Sequence, residues 1–344
     1  MAQATASRNQ TRLISSAVML PVGLLASVGL LIVALLVGIT LGAADIDARV
    51  VYESLFVFDE TLFEHLIIRT VRLPRVLAGV VIGLALAIAG AIMQGLTSNP
   101  LAAPGILGIN AGAAFAVVLG VYWLGSPPLL TYALLAISGA AAAAIIVYTL
   151  GSVGRGGATP VKLTLAGVIF SSFTAAFTTA ILVLDQNTFD QIRFWTVGSL
   201  SGRDMELLVW MSPFIVVGAV GALLLARQIT TISLGEDVAK GLGQNTMVVK
   251  TLGAIFVILL AGGAIGIAGP VGFVGLVVPH VMRFICGVDY RWIIPYSAVG
   301  GALLVVIADS VGRIILAPQE IPIGVMLAFV GAPFFIYLAR WKVR

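Results

Sequence analysis

Three arginines spaced by three, Arg69, Arg72 and Arg75, lead directly into an apolar stretch of helix length. That stretch ends in a polar sequence broken by proline, Gln94-Gly95-Leu96-Thr97-Ser98-Asn99-Pro100. Guanidinium groups avoid hydrocarbon, so the arginines mark a membrane surface. The run after Pro74 is long enough to cross a bilayer, which takes about 20 mostly apolar residues. The elbow implies non-helical backbone near a membrane face, tolerated only where protein or water satisfies its polar groups. Charged rim, helix and elbow together have the makings of a solute path.

Covalent chemistry is poorly served. The two histidines, His65 and His280, stand far apart in the chain and form neither HExxH nor any zinc spacing, and no phosphate-binding GxxxxGK[ST] is present. His280 follows Pro279 in an apolar stretch, where a buried, hydrogen-bonded structural role is the commoner outcome and ligation the rarer. A single cysteine, Cys286, excludes an intrachain disulfide and gives no metal-ligand pattern. Asp309 is the one carboxylate embedded in an apolar run. Ion-coupled transporters bury several such groups, so the energy source is expected to lie outside this chain.

The elements that position these residues are hydrophobic helices. The sequence is 60% hydrophobic and only 10% charged, with a mean hydropathy of +1.12, where a soluble domain carries about 25% charged residues. The chain is therefore read as an all-α, polytopic membrane protein. Its 39 glycines suit close helix-to-helix approach in lipid. A pI near 9.4 reflects basic residues at helix ends rather than a nucleic-acid surface. Ten spans are expected, at about 13–43, 75–96, 105–124, 129–151, 161–184, 207–226, 250–266, 271–286, 292–315 and 321–340. They form one permease domain, 13–344, after a polar tail, 1–12. The segment after Arg12 is too long and apolar for a removable signal and lacks a cleavage motif, so it is the first span.

Charge orients this arrangement. With both termini in the cytoplasm, the inner segments hold twelve of the nineteen basic residues, from Arg8 and Arg12 through Arg155 to Arg340, Lys342 and Arg344. They hold only three acids, Glu236, Asp237 and Asp289, as the positive-inside bias requires. Arg69, Arg72 and Arg75 then fall outside, against that bias. Two readings stay open, snorkelling helix-end residues or residues kept for a task. A weak repeat pairs Ile88-Ala89-Gly90, ten residues before Pro100, with Ile267-Ala268-Gly269, ten before Pro279, a pattern that can mark a transporter core. The polar interruption at about 227–250 contains SLGEDVAKGLG. Ser233 and Glu236 there have capping-box spacing, and Ala239 with the glycines offers either a docking surface or an ordinary solvated helix.

Taken in order, RTVRLPR, AGAIMQGLTSNPLAAPGILG, SLGEDVAKGLG, GPVGFVGLVVPHVMRF and ADSVGRIILAPQEIPIGVMLAFVGAPFFIYL resemble the FecCD family. These are the permease subunits of type II ABC importers for iron-siderophores, haem and vitamin B12. The resemblance runs from about Arg69 to Arg344. It implies a ten-helix permease in the inner membrane that pairs with a second copy or a paralogue. Two ATPase subunits, which bind ATP and magnesium, would dock beneath, and a periplasmic or lipid-anchored binding protein above. No cofactor is expected in this chain, which is not itself an enzyme.

The resemblance further implies docking of the binding protein at Arg72, Arg75 and Arg313. ATPase contact falls at Gly235, Glu236, Asp237, Ala239, Gly241 and Gly243. A cytoplasmic gate is implied at Gln94, Asn99 and Leu101, with Thr159 and Pro160 in the loop before the fifth span. At Thr159-Pro160-Val161 the chain departs from the small hydroxyl residues of the vitamin B12 permease. The expected cargo is a ferric siderophore, with haem or cobalamin as the alternative. A proton-driven secondary transporter is the alternative class, and an intramembrane enzyme lacks any nucleophile–base pair or metal motif.

Overall fold

The computed structural model describes residues 18–42, 46–154 and 159–341. The tail with Arg8 and Arg12, the start of the first span, Asp45, the Arg155-Gly156-Gly157 turn, Lys342 and Arg344 lie outside the described residues.

Within the described residues the chain is helical. Seven stretches are long and apolar enough to cross a membrane. They are α1 (Met19–Thr40), the continuous run Phe63–Leu96, α6 (Leu129–Ser152), α7 (Pro160–Leu184), α9 (Met205–Leu224), α12 (Thr246–Ala268) and α14 (Tyr290–Ile315). Three shorter apolar helices complete the expected ten: α5 (Ile109–Leu124), α13 (Val274–Cys286) and α15 (Ile323–Trp341). Outside the bilayer-length helices lie α2 (Ala48–Phe56), α8 (Gln186–Val197), α10 (Ala226–Ser233) and α11 (Glu236–Gly241).

The second span starts earlier than residue 75. α3 (Phe63–Ile67) passes through a π-helical turn, Ile68–Arg72, into α4 (Leu73–Leu96). Pro74 lacks an N–H, and it sits at the first turn of α4, where a missing donor costs least. The wider π turn just before it lets the helix run on without a break.

Polar side chains start the helices at the membrane faces. Asp185, Asp204, Asn245 and Asp289 each accept a hydrogen bond from an N–H in the first turn of α8, α9, α12 and α14, at 2.9, 2.8, 3.2 and 3.0 Å. Such caps satisfy donors that the helix itself leaves orphaned.

α4 is the axis of the bundle, packed by α14, α12, α13 and α9. Gly83 lies against the backbone of Gly301 in α14, and Gly90 against that of Gly275 in α13. A Cβ at any of these four would overlap main-chain atoms. Without an apolar solvent gradient between helices in lipid, this backbone-to-backbone approach is the main source of packing energy. The Ile88-Ala89-Gly90 repeat does not carry into structure. Gly90 is mid-helix in α4, whereas Gly269 ends α12 with φ +80°. Pro100 lies in the elbow and Pro279 inside α13.

Replacing Gly90 with alanine is expected to cost about 1–3 kcal/mol through overpacking. A lowered thermal midpoint of the detergent-solubilised protein would report it, and an unchanged midpoint would contradict the close α4–α13 approach.

Candidate functional site

The C-terminal ends of α1 and α14 and the N-terminal end of α4 meet in a knot of buried charge. Arg72, Arg75 and Arg313 are 6%, 7% and 4% exposed, which corrects the expectation of rim charges open to water. Arg75 grips Asp309 through Nε, at 3.0 and 3.2 Å, and through Nη2, at 2.9 Å, while its Nη1 reaches Glu320 at 2.6 Å. Arg313 approaches the same carboxylate at 3.2 Å. It also donates to the carbonyls of Leu41 and Gly38 at 2.7 and 2.8 Å. Arg72 donates to those of Ile39 and Thr40 at 2.8 and 2.6 Å.

The last carbonyls of a helix have no partner within it and carry partial negative charge. Two arginines from other helices cap the end of α1. Arg72 and Arg313 thus have a structural use that spacing alone did not reveal. Arg69 is held differently, donating to the Ser54 and Leu55 carbonyls at 3.0 and 3.2 Å and lying 4.0 Å from the Phe58 ring centroid. His65, buried beneath this segment, accepts the Asp59 N–H at 3.1 Å. Asp309, 3% exposed, is the counter-ion of two guanidinia rather than an open ion site on a path.

At the other end of α4 the elbow begins later than expected. Gln94 is not in it. It lies inside the helix, 2% exposed, and donates to the Gly275 and Leu276 carbonyls at 3.3 and 3.1 Å. The helix stops at Thr97, Ser98 turns with φ +49°, and the Asn99 side chain accepts the Leu101 N–H at 3.0 Å. Asn99 and Leu101 are half-buried. Thr159 caps α7 by accepting the Lys162 N–H, and Pro160 opens that helix. α7 meets the chain just beyond the elbow through Gly167, against Ile106, and Phe170, against Gly108.

The loop between α9 and α12 stands against this elbow. Ser233 does not cap α11; it donates back to the Thr230 carbonyl at 2.7 Å from the last turn of α10. Gly235 takes the cap position with φ +127°, a conformation L side chains rarely adopt. Ala239 is fully buried, so it is no part of a docking surface. It joins Ile232, Val249 and Leu96, the last residue of α4. Ser98 donates to the Ile232 carbonyl at 3.4 Å. The exposed apolar residues are Leu234, Val238 and Leu242, at 62%, 48% and 72%. Their four-residue spacing was visible in the sequence, but only the burial of Ala239 shows which face of α11 is turned outward. Gly241, Gly243 and Asp237 are exposed beside them.

Glu236 ties the loop to α12, with Lys250 as its nearest partner, Lys240 at 3.1 Å and Thr246 Oγ1 at 3.3 Å. These bonds, Lys250's first, outweigh burial and lower its pKa from 4.5 to about 2. A lowered folded pKa stabilises above the unfolded value, and that contribution is lost as pH falls. The tie should therefore be intact above about pH 4.5 and fail as pH falls toward 2. At 42% exposure solvent screens much of its worth.

The FecCD transport family model matches residues 30–341. The chain is 44% identical over 327 residues to the iron(3+)-hydroxamate import system permease protein FhuB of Bacillus subtilis, covering 93% of this chain and 83% of that one. It is 42% identical over 318 residues to the ferric enterobactin transport system permease protein FepD of Escherichia coli, covering 92% and 94%. A metal-chelate type ABC transporter solved in an inward-facing conformation superposes with a TM-score of 0.80 at 26% identity. That match covers 94% of this chain and all of the solved one.

Asp309→Asn is expected to destabilise the fold by about 3–5 kcal/mol, because it strips two buried guanidinia of their shared counter-ion. Thermal unfolding would measure this. Glu236→Gln should raise amide hydrogen exchange across 236–243 at neutral pH, and the parent should match the variant only below about pH 2.

Proposed function

The chain belongs to the FecCD transport family, and we propose that it is the permease subunit of an ABC importer that carries a ferric siderophore into the cytoplasm. The observation that supports this most is the contact of Leu96, at the inner end of α4, with Ile232, Ala239 and Val249 of the α10–α12 loop. A push on that loop reaches the elbow through packed side chains without crossing solvent.

In this reading two partner ATPases, which hold ATP and magnesium, seat against α11. The exposed Leu234, Val238 and Leu242 are its docking stripe, with Gly235, Glu236, Asp237, Gly241 and Gly243 shaping it. Asn99 and Leu101 form the inner gate, with Thr159 and Pro160 at its margin. Both termini face the cytoplasm, and a second permease copy, identical or paralogous, completes the path. A binding protein delivers cargo to the outer face near Arg75 and Glu320. Arg72 and Arg313 support that face from below by capping α1. Relatives that import iron hydroxamates and ferric enterobactin favour a siderophore over haem or cobalamin.

Reconstitution with a partner ATPase and binding protein should give uptake of radiolabelled ferric siderophore that requires ATP and ignores a protonophore. Uphill uptake by this chain alone would refute the reading. Val238→Asp changes an exposed side chain and should cut ATP-driven uptake about tenfold or more, as loss of an interface hot spot does, with the thermal midpoint unchanged. Asn99→Leu should alter uptake or basal leak; if neither changes, Asn99 is not part of the gate.

A further inference from the structure

The short helix α2 has three faces, and the bundle accounts for only one. Asp47 starts it by accepting the Arg49 N–H at 2.7 Å. Val51 and Ser54 are buried. Val51 joins a cluster with Ile39 of α1, Ile68, Val76 of α4 and Val306 of α14. On a second face Arg49 Nε pairs with Glu53 at 2.8 Å, and both side chains are open to solvent. A third face carries Tyr52 and Phe56, which are 62% and 71% exposed with ring centroids 4.7 Å apart. Val57, just past α2, and Phe63, at the start of α3, are exposed as well.

Residues four apart stay on one stripe of a helix. The aromatic stripe of Tyr52 and Phe56 and the charged stripe of Arg49 and Glu53 therefore run side by side, on the half of α2 turned away from Val51 and Ser54. Two large rings left in water forfeit the gain of burial, and an ion pair sunk in hydrocarbon is costly. Both demands are met where hydrocarbon gives way to water, the level at which amphipathic helices lie and aromatic rings collect.

α1 sets α2 at that level. Its 22 residues rise about 33 Å at 1.5 Å per residue, against a hydrocarbon thickness of about 30 Å. Beyond Thr40 the sequence turns polar, with Asp45 and Asp47, so the hydrocarbon ends there. Little of α1 is covered by the rest of the chain, and Val33, Leu36 and Val37 stay exposed toward its C-terminal end. That same end holds α2, through Ile39 and Val51. The exposed rings thus continue, at the membrane edge, an apolar surface that α1 already offers to lipid.

We propose that α2 is an interfacial anchor, with the Tyr52–Phe56 face set into the headgroup–acyl boundary of the bilayer and the Arg49–Glu53 face in water. Because α2 packs on Ile68 and Val76, the anchor fixes the depth at which α4 begins. This role requires that α1 span a bilayer and is independent of the cargo.

Spin labels read the depth. In the Cys286→Ala chain, reconstituted in nanodiscs, nitroxides attached through Tyr52→Cys and Phe56→Cys should collide more with oxygen than with a water-soluble nickel chelate. Their oxygen-to-nickel ratio should approach that of Val33→Cys on α1, and Arg49→Cys should show the reverse preference. Labels at 52 and 56 that favour the nickel chelate as strongly as the one at 49 refute the anchor. Labels shielded from both reagents mean that protein covers this face, a second copy or another subunit, and refute it equally.

The unsubstituted chain offers an independent check. A phospholipid bearing a photoactivated diazirine close to its glycerol should label the 48–57 peptide. Labelling of α1 with none in 48–57 would overturn the anchor. Absence of ATP-driven uptake by the assembled complex would instead count against the transport reading and leave these depths as they are.

Discussion

The paired grip of Arg75 and Arg313 on Asp309 is the interaction on which one end of the helix bundle depends. Ionised groups are stable at a membrane-spanning helix end only when their donors and acceptors are met by the protein. Asp309 joins α4 to α14, and Arg313, with Arg72, goes on to cap the carbonyls of α1. Three helices distant in sequence are registered by one carboxylate and the free end of a helix. Around that anchor, the glycine contacts Gly83–Gly301 and Gly90–Gly275 bring α4 against α14 and α13 closely enough for dispersion forces to hold them in lipid.

This division of labour places rigidity and adjustability at opposite ends of α4. The N-terminal end is cross-linked by charge and backbone hydrogen bonds. The C-terminal end runs into a short turn, where Ser98 takes a left-handed conformation and an Asn99 side chain substitutes for helical hydrogen bonding. Packing beside that turn is a small cluster of Ile232, Ala239, Val249 and Leu96. A small, discrete cluster can slide or repack as a unit at lower cost than the continuous core above it.

Charge near the N-terminal end of α4 has the same two-fold character. Arg72, Arg75 and Arg313 are engaged by the fold, whereas the buried Nε of Arg203 has no hydrogen-bond partner among the described residues.

Composition and periodicity by themselves determined the class: ten apolar helices, their approximate limits and the polar loops between them. Those follow from transfer of side chains between water and lipid, which each segment undergoes nearly independently. The family likewise lay in contiguous motifs. What only the tertiary structure decided were matters of partnership. Arg72 looked like an exposed docking residue until α1 supplied carbonyls from more than thirty positions away. Ser233 and Glu236 had the spacing of a capping box, yet Glu236 found Lys250 on the next helix. Ala239 turned inward while Leu234, Val238 and Leu242 turned out. A hydrogen bond or an ion pair belongs to two residues, and the second is chosen by how helices pack, which no local pattern encodes.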